Sequence, residues 1–396
     1  MAIDDVVWNA DSANALWMYK YITWTTDITN HHLIYSSILD CYCLSQFGTL
    51  VSILMEIRLS CGSIDETLDF FGISLATVAG LTKLIFIKLH RDDLRKILLS
   101  TLKNWSAIVD SSSAKKIMLK YSQRGKSVAR MQMSFAFVII VTIILDAMPL
   151  SKSSYKQDNV TTSEDLPKRI PLRTMCVFGN MSTSTYWTVF VLQAIQLVNA
   201  VLIESGNDVF FFGLSMQICG QLGTLQILFE KFRAREEEDR VKEIEQFVDK
   251  HSHLLDITRR IEDTFHYVLL VILMTNGLHI CSTGIQILML SKQNDIVPLI
   301  KAVFAFVVIL AQLFLYSYAG DFLSSLTLDI HRLIYNFPWY EFSSNNAKNF
   351  LFIIMRAHKP FRLRAGRFYS IDLESFKNIL KASFSYFSVL RIAFEE

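Results

Sequence analysis

The chain has 396 residues, 52% of them apolar and 29 of them Phe, with only 14 Gly, 6 Pro and a formal charge of +2. With a mean hydropathy above zero, this composition predicts a multi-span helical membrane protein and gives no reason to expect a nucleic-acid partner. The net charge says little, because its distribution along the chain decides orientation. The first thirty or so residues lack a basic stretch followed by an apolar core, so no cleaved signal peptide is expected.

Along the chain, mostly apolar stretches of roughly twenty residues, the length a bilayer requires, fall at 33–57, 67–89, 131–150, 185–205, 265–290, 297–320 and 373–394. Helices are expected at each, since a lone apolar run in lipid must satisfy its own backbone groups and nothing alternates at the strand period. Between the second and third spans stand Arg91, Arg95, Lys96, Lys103, Lys115, Lys116, Lys120, Arg124, Lys126 and Arg130, a signal for the cytosolic side. The loop after the first span offers Arg58, and that after the fifth only Lys292. The expected topology has a cytosolic N-terminus and an extracellular C-terminus. It places the sequons at Asn159 and Asn180 outside, where glycans can be added.

The fourth span runs on through Phe210, Phe211 and Phe212 to Phe229. A turn at Glu204, Gly206, Asn207 and Asp208 would give two crossings, but would move Arg356, Lys359, Arg362, Arg364 and Arg367 outside against the charge rule. One helix projecting into the cytosol is therefore expected. The sixth span continues likewise past Asp321 and Asp329 to Arg332. With 345–358, too short to cross, these extensions are expected to pack as a cytosolic helical layer. The charged run 231–240 reads as a solvated stem. Ala76 and Gly80 in the second span make a small-residue pair, expected to allow close helix packing.

Six cysteines at 41, 43, 61, 176, 219 and 281 show no metal or redox spacing. Cys61 and Cys176 both fall outside, where pairing is one option and free thiols the other. No phosphate loop, nucleophile elbow or zincin helix is present, so neither an enzyme, a metal site nor a cofactor is expected. Ionisable residues inside spans are functional candidates: Asp40, Glu56, Asp146 and Glu204. Asp146, before Pro149, either selects ligands bearing a donor or reaches interfacial water. The outer halves of several spans carry Phe70, Phe71, Ile144, Leu145, Met148, Tyr186, Trp187, Phe190, Phe304 and Phe306 at similar depth. Converging, these faces would enclose an apolar pocket for a small volatile hydrophobe; otherwise they are ordinary bundle and interfacial residues.

In the last span Lys377, Lys381, Ser385, Ser388 and Arg391 recur at intervals of three and four and share one helix face. Polar groups in lipid turn towards protein or water. The stripe fits either helix packing with snorkelling ends or the wall of a pore.

The segment 350–391 resembles the C-terminal signature of insect odorant receptors. The residues that carry it are Met355-Arg356-Ala357-His358-Lys359-Pro360, Ala365-Gly366-Arg367-Phe368-Tyr369, Leu373-Glu374-Ser375-Phe376 and Ser383-Phe384-Ser385-Tyr386-Phe387-Ser388-Val389-Leu390-Arg391. The resemblance implies an all-α protein of seven transmembrane helices with a cytosolic anchor layer. It also implies a tetrameric, odorant-gated, non-selective cation channel lined by the last helix. The family's apolar gate falls on Val389, about a quarter turn from Ser388. Where the coreceptor has a second apolar gate residue one turn on, this chain has Ala393. The coreceptor carries a longer loop between the fourth and fifth spans than the roughly thirty-five residues here, so the resemblance is to a ligand-tuning subunit partnered by coreceptor subunits. Gustatory receptors end in Gln-Phe where this chain has Ile392-Ala393; a gustatory-type or metabotropic seven-helix chemoreceptor is the alternative.

The resulting division is a cytosolic segment 1–32, a ligand-binding bundle 33–320, an anchor region 321–372 and a pore helix with tail 373–396. The implied location is the plasma membrane of olfactory neuron dendrites.

Overall fold

The computed structural model describes residues 32–59, 64–106, 112–148, 170–172, 181–233, 237–293, 296–341 and 344–395. Nine helices carry these residues: α1 (His32–Arg58), α2 (Ile64–Leu89), α3 (Arg91–Ser106), α4 (Ser112–Ala147), α5 (Thr183–Arg233), α6 (Glu237–Gln293), α7 (Ile296–Tyr335), α8 (Ser344–Ala357) and α9 (Leu373–Glu395). Two short strands, β1 (Arg364–Ala365) and β2 (Tyr369–Ser370), form an antiparallel pair before α9. Six of the seven stretches read as spans lie within helices, and the third, 131–150, is helical as far as Ala147, its last two residues falling outside the described ones. Among the described residues five helices, α2 and α4 to α7, are long and apolar enough to cross a membrane. The chain is an all-α membrane protein.

Helix α5 has 51 residues, α6 57 and α7 40. At 1.5 Å per residue these run about 75, 85 and 60 Å, against a hydrocarbon core of about 30 Å. Each must therefore project well beyond the lipid. The helix is unbroken through Glu204, Gly206, Asn207 and Asp208, so the single-helix reading of this stretch holds.

The main core sits where these helices project, here termed the lower end. It joins Phe211, Leu222 and Phe229 of α5, Phe247, Ile261 and Leu269 of α6, Leu323 and Ile330 of α7, Ile97 of α3 and Phe350 of α8. Rings lock the layer: Phe229 lies 5.1 Å from Phe247 and 5.6 Å from Phe337, and Phe337 stacks on Phe350 at 5.4 Å. Each such side chain contributes about 1.5–3 kcal/mol by leaving water. Towards the upper end the bundle shows apolar side chains outward, among them Val191, Leu192 and Ile195 on α5 and Val303 and Val307 on α7, as lipid-facing surfaces do.

The strand pair fixes how the chain enters α9. Gly366 and Arg367 both adopt left-handed backbone, with φ of 58° and 68°, the geometry a tight hairpin turn needs. A side chain at Gly366 would also meet the Phe368 ring at 2.7 Å. The Gly366 amide donates to the His266 carbonyl of α6 at 2.9 Å. Arg364 pairs with Glu262 of α6 at 2.6 Å and Arg367 with Asp263 at 3.6 Å; the Glu262 bond holds the Arg364 guanidinium pKa above its ordinary value. Asp372 then caps α9, its carboxylate accepting the Ser375 amide at 2.7 Å.

Gly80 does allow a close approach, since a Cβ there would lie 3.3 Å from Oε2 of Glu204. Ala76 is exposed, so the two do not form a joint packing face. Its partner in this role is Gly72, where a Cβ would meet His279 Nε2 at 3.0 Å.

Candidate functional site

At the upper end, the start of α5 and the end of α4 face one another. Tyr186 and Phe190 are buried there with Ala147 and Ile170, and Ile144, Met148 and Val189 pack against them. The rings of Tyr186, Trp187 and Phe190 lie 5.4–6.1 Å apart, edge-to-face or tilted. A loop fragment seals this cluster: Ile170, Pro171 and Leu172 are buried, and the Leu172 amide donates to Gln193 Oε1 at 3.2 Å.

Four of the ten pocket residues read from the sequence, Ile144, Met148, Tyr186 and Phe190, thus meet in one apolar cluster. Phe70 is buried separately on α2. Phe304 meets Phe135 of α4 edge-on at 6.0 Å, and Phe306 packs against a third cluster of Ile280, Ile309 and Leu313. Leu145, Trp187 and Phe71 point outward, 59%, 45% and 41% exposed. Asp146 pairs with Lys301 of α7 at 2.8 Å and keeps part of its side chain exposed.

Below this cluster, about 18 residues along α5 from Tyr186 to Glu204, or roughly 27 Å, four helices are tied by one polar knot. Lys83 of α2, only 2% exposed, pairs with Asp208 at 2.6 Å and with Glu204, both on α5. Gln132 of α4 donates to Asp208 at 3.0 Å. Gln312 of α7 donates to Asp208 at 2.7 Å and to Glu204 at 3.2 Å, and Tyr316 donates to Asp208. Of these residues the sequence singled out Glu204 alone. A lysine within an otherwise apolar span, and an acid four residues from Glu204 on the same helix face, were the available signals. Asp40 of α1 similarly pairs with Lys88 of α2.

Helix α9 presents two faces. Phe376, Ile379 and Leu380 turn towards α6 and α7, as do Ser383 and Phe387. Lys377, Lys381, Ser385 and Ser388 are exposed on the other side, and Val389 with them at 64%. Ser385 and Val389, four residues apart, share the face opposite the packed one. Valine and stripe thus occupy one outward arc, and the quarter turn between Val389 and Ser388 lies within it. Side chains from 390 onward, Arg391 and Ala393 among them, fall outside the described residues, as do Cys61, Cys176, Asn159 and Asn180.

Among the described residues no group of three or more His, Cys, Asp or Glu side chains is placed to hold a metal ion. The arrangement is thus a closed apolar cluster among the upper helices and an outer surface of α9 that turns Lys381, Ser385, Ser388 and Val389, with Phe384 and Tyr386, towards whatever lies beside the chain.

The comparisons agree with this architecture. A family described as "7tm Odorant receptor" matches residues 63–384. Odorant receptor 10 of Aedes albopictus is 26% identical over 209 residues, 50% of this chain and 55% of that one. Odorant receptor 13a of Drosophila melanogaster is 28% identical over 162 residues, 38% of each chain. The chain therefore spans between 38% and 55% of these relatives' lengths. The insect olfactory receptor OR5 of Machilis hrabei superposes with a TM-score of 0.76 at 14% identity, covering 95% of this chain and 99% of that one. Its complex with eugenol superposes at 0.72, with 13% identity and 97% of both chains covered. The chain belongs to the odorant receptor family of insects.

Proposed function

We propose that this chain is the odorant-binding, tuning subunit of a heteromeric ligand-gated cation channel in the plasma membrane of olfactory neurons. The observation that carries this reading is the two-faced α9, with Lys381, Ser385, Ser388 and Val389 exposed opposite its packed side. Lipid would disfavour such a face, and an aqueous passage between subunits would suit it. Val389 then forms an apolar constriction that blocks ions by dewetting until it widens. The upper cluster around Tyr186 and Phe190 binds a small volatile molecule, and the eugenol complex of Machilis OR5 is consistent with that ligand class. Such a ligand opens the channel only insofar as it binds the open arrangement better than the closed one.

The basic residues between α2 and α4 support a cytosolic N-terminus and lower layer, an extracellular C-terminus, and glycans at Asn159 and Asn180. In that layer Phe352 and Met355 of α8 are exposed, which suits an anchor region at which subunits meet. The roughly thirty-five residues between Phe229 and Phe265, fewer than the coreceptor carries between its fourth and fifth spans, support a tuning subunit rather than a coreceptor. Subunit assembly then follows the division into bundle 33–320, anchor 321–372 and pore helix 373–396.

Co-expression with a coreceptor, followed by recording of odorant-evoked current, tests the reading. Current that persists with G-protein signalling blocked and changes with Val389→Ala is expected. An N-terminal epitope tag that stains on unpermeabilised cells would contradict the topology and favour a metabotropic receptor.

A further inference from the structure

Behind α9, on the side away from Val389, a cavity of about 170 Å³ lies between α6, α7 and α9. Ile280, Gly284 and Ile287 of α6 and Phe306 of α7 form one wall; Leu380, Ser383, Phe384 and Phe387 of α9 form the other. It shares only Phe306 with the pocket residues read from the sequence, and none of the Tyr186 cluster. We propose that this cavity is a second binding site, for compact apolar molecules the size of a substituted benzene, and that its occupancy narrows the passage bordered by Val389.

Size and lining both favour such a guest. A dry cavity of about 150 Å³ lined by Leu, Ile and Phe is known to hold benzene; this one is slightly larger, adds Gly284 and Ser383 to a lining of Ile, Leu and Phe, and opens beside the exposed Phe384. Its volume equals a sphere about 7 Å across, whereas a lipid tail extends about 15 Å, half the hydrocarbon core. Its polar group is the hydroxyl of Ser383, a residue buried against α6 and α7. A hydroxyl offers one donor and two acceptor positions, so Ser383 can engage one oxygen of a guest.

The mechanical consequence follows from the helix turn. Val389 lies two residues beyond Phe387, about 200° round the axis. Phe387 is closely seated: a Cβ on Gly284 would lie 3.1 Å from its ring. The lower end of α9 is pinned by the strand pair and the Asp372 cap. A guest that lifts Phe387 off α6 therefore tilts the upper part of α9 towards the Val389 side. The effect on current rests on the channel reading above; the binding site does not.

The test uses the full chain in nanodiscs with fluorobenzene, observed by ligand ¹⁹F relaxation against empty nanodiscs, and with Ser383→Leu to fill the cavity. Saturable binding is expected, with one class of site weakened roughly tenfold or more, about 1.4 kcal/mol, in Ser383→Leu. Leu380→Ala, which enlarges the cavity, should retain fluorobenzene and also admit 1-fluoronaphthalene. Binding that Ser383→Leu leaves unchanged, or no saturable binding to either wild type or Leu380→Ala, overturns the site. So does co-purified lipid that fluorobenzene fails to displace. In cells fluorobenzene should reduce odorant-evoked current in wild type and not in Ser383→Leu. Binding that is lost in the variant without any effect on wild-type current overturns the coupling to Val389 and leaves the site standing.

Discussion

At the residue scale, the lesson of the upper cluster is that neighbours in sequence diverge by about 100° round a helix. Ile144 packs inward while Leu145 is exposed; Tyr186 is buried beside exposed Trp187, and Phe70 beside exposed Phe71. Depth along a span was legible from the sequence, because it follows from counting residues. Azimuth was not, because it depends on which helices stand alongside. The polar knot was hidden for the same reason, since Lys83 meets its partners 121 and 125 positions away. Its energetics give a ranked prediction. Lys83→Met leaves two carboxylates without their ammonium and should cost about 3–5 kcal/mol, whereas Glu204→Gln keeps hydrogen-bonding capacity and should cost far less. Thermal inactivation in detergent would check the order, and equal losses would contradict it. A second pair concerns glycine. A Cβ on Gly320 would fall on the Ile371 carbonyl oxygen, far inside contact distance, while one on Gly48 meets nothing within 4 Å. Gly320→Ala should destabilise the fold by about 1–3 kcal/mol or more, seen as lost folded yield, and Gly48→Ala should leave the yield undiminished.

At the element scale, the short signature around Ala365-Gly366-Arg367 acquires a physical reason. Two residues of left-handed backbone make the turn, its arginines pair with α6, and the hairpin hands a fixed starting point to α9. Strands of two residues leave no alternation to read, so the sequence offered the motif without its shape. Losing the cap through Asp372→Ala should cost about 1 kcal/mol, seen as faster hydrogen exchange in the first turn of α9. The lower extension of α6, below the spanning stretch 265–290, carries a pH response. His251 stacks on Phe247 at 5.8 Å and is buried. Burial first, and then the charge of Arg356, lower its pKa from 6.5 to about 4. Between those values the unfolded chain binds a proton that the folded chain refuses, so stability rises with pH and is lost as pH falls from 6.5 towards 4. At pH 5 the loss amounts to about 2 kcal/mol. Hydrogen-exchange protection in the adjoining turns of α6 and α8, corrected for the intrinsic exchange rate at each pH, should fall between pH 7 and 5, and His251→Gln should flatten that dependence. An equal slope in the variant would contradict the assignment.

At the scale of the whole molecule, the long helices were the most legible feature. The charge rule argued for one unbroken α5, and the structure gives the reason it can be unbroken: Glu204 and Asp208 are met by Lys83 inside the bundle. The stripe on the last span was legible too, because period alone fixes which residues share a face, and the packing of Phe376, Leu380, Ser383 and Phe387 leaves that face turned outward. What that face meets in the assembled receptor decides whether α9 borders the conducting path. The direct measurement is cysteine substitution at Ser385, Val389 and, as a control on the packed side, Phe376, with a charged thiol reagent applied during odorant-evoked current. Block that develops at Ser385→Cys and Val389→Cys, faster with odorant present, and is absent at Phe376→Cys is the predicted result. Current through all three variants that the reagent leaves untouched would contradict the assignment of α9 to the conducting path.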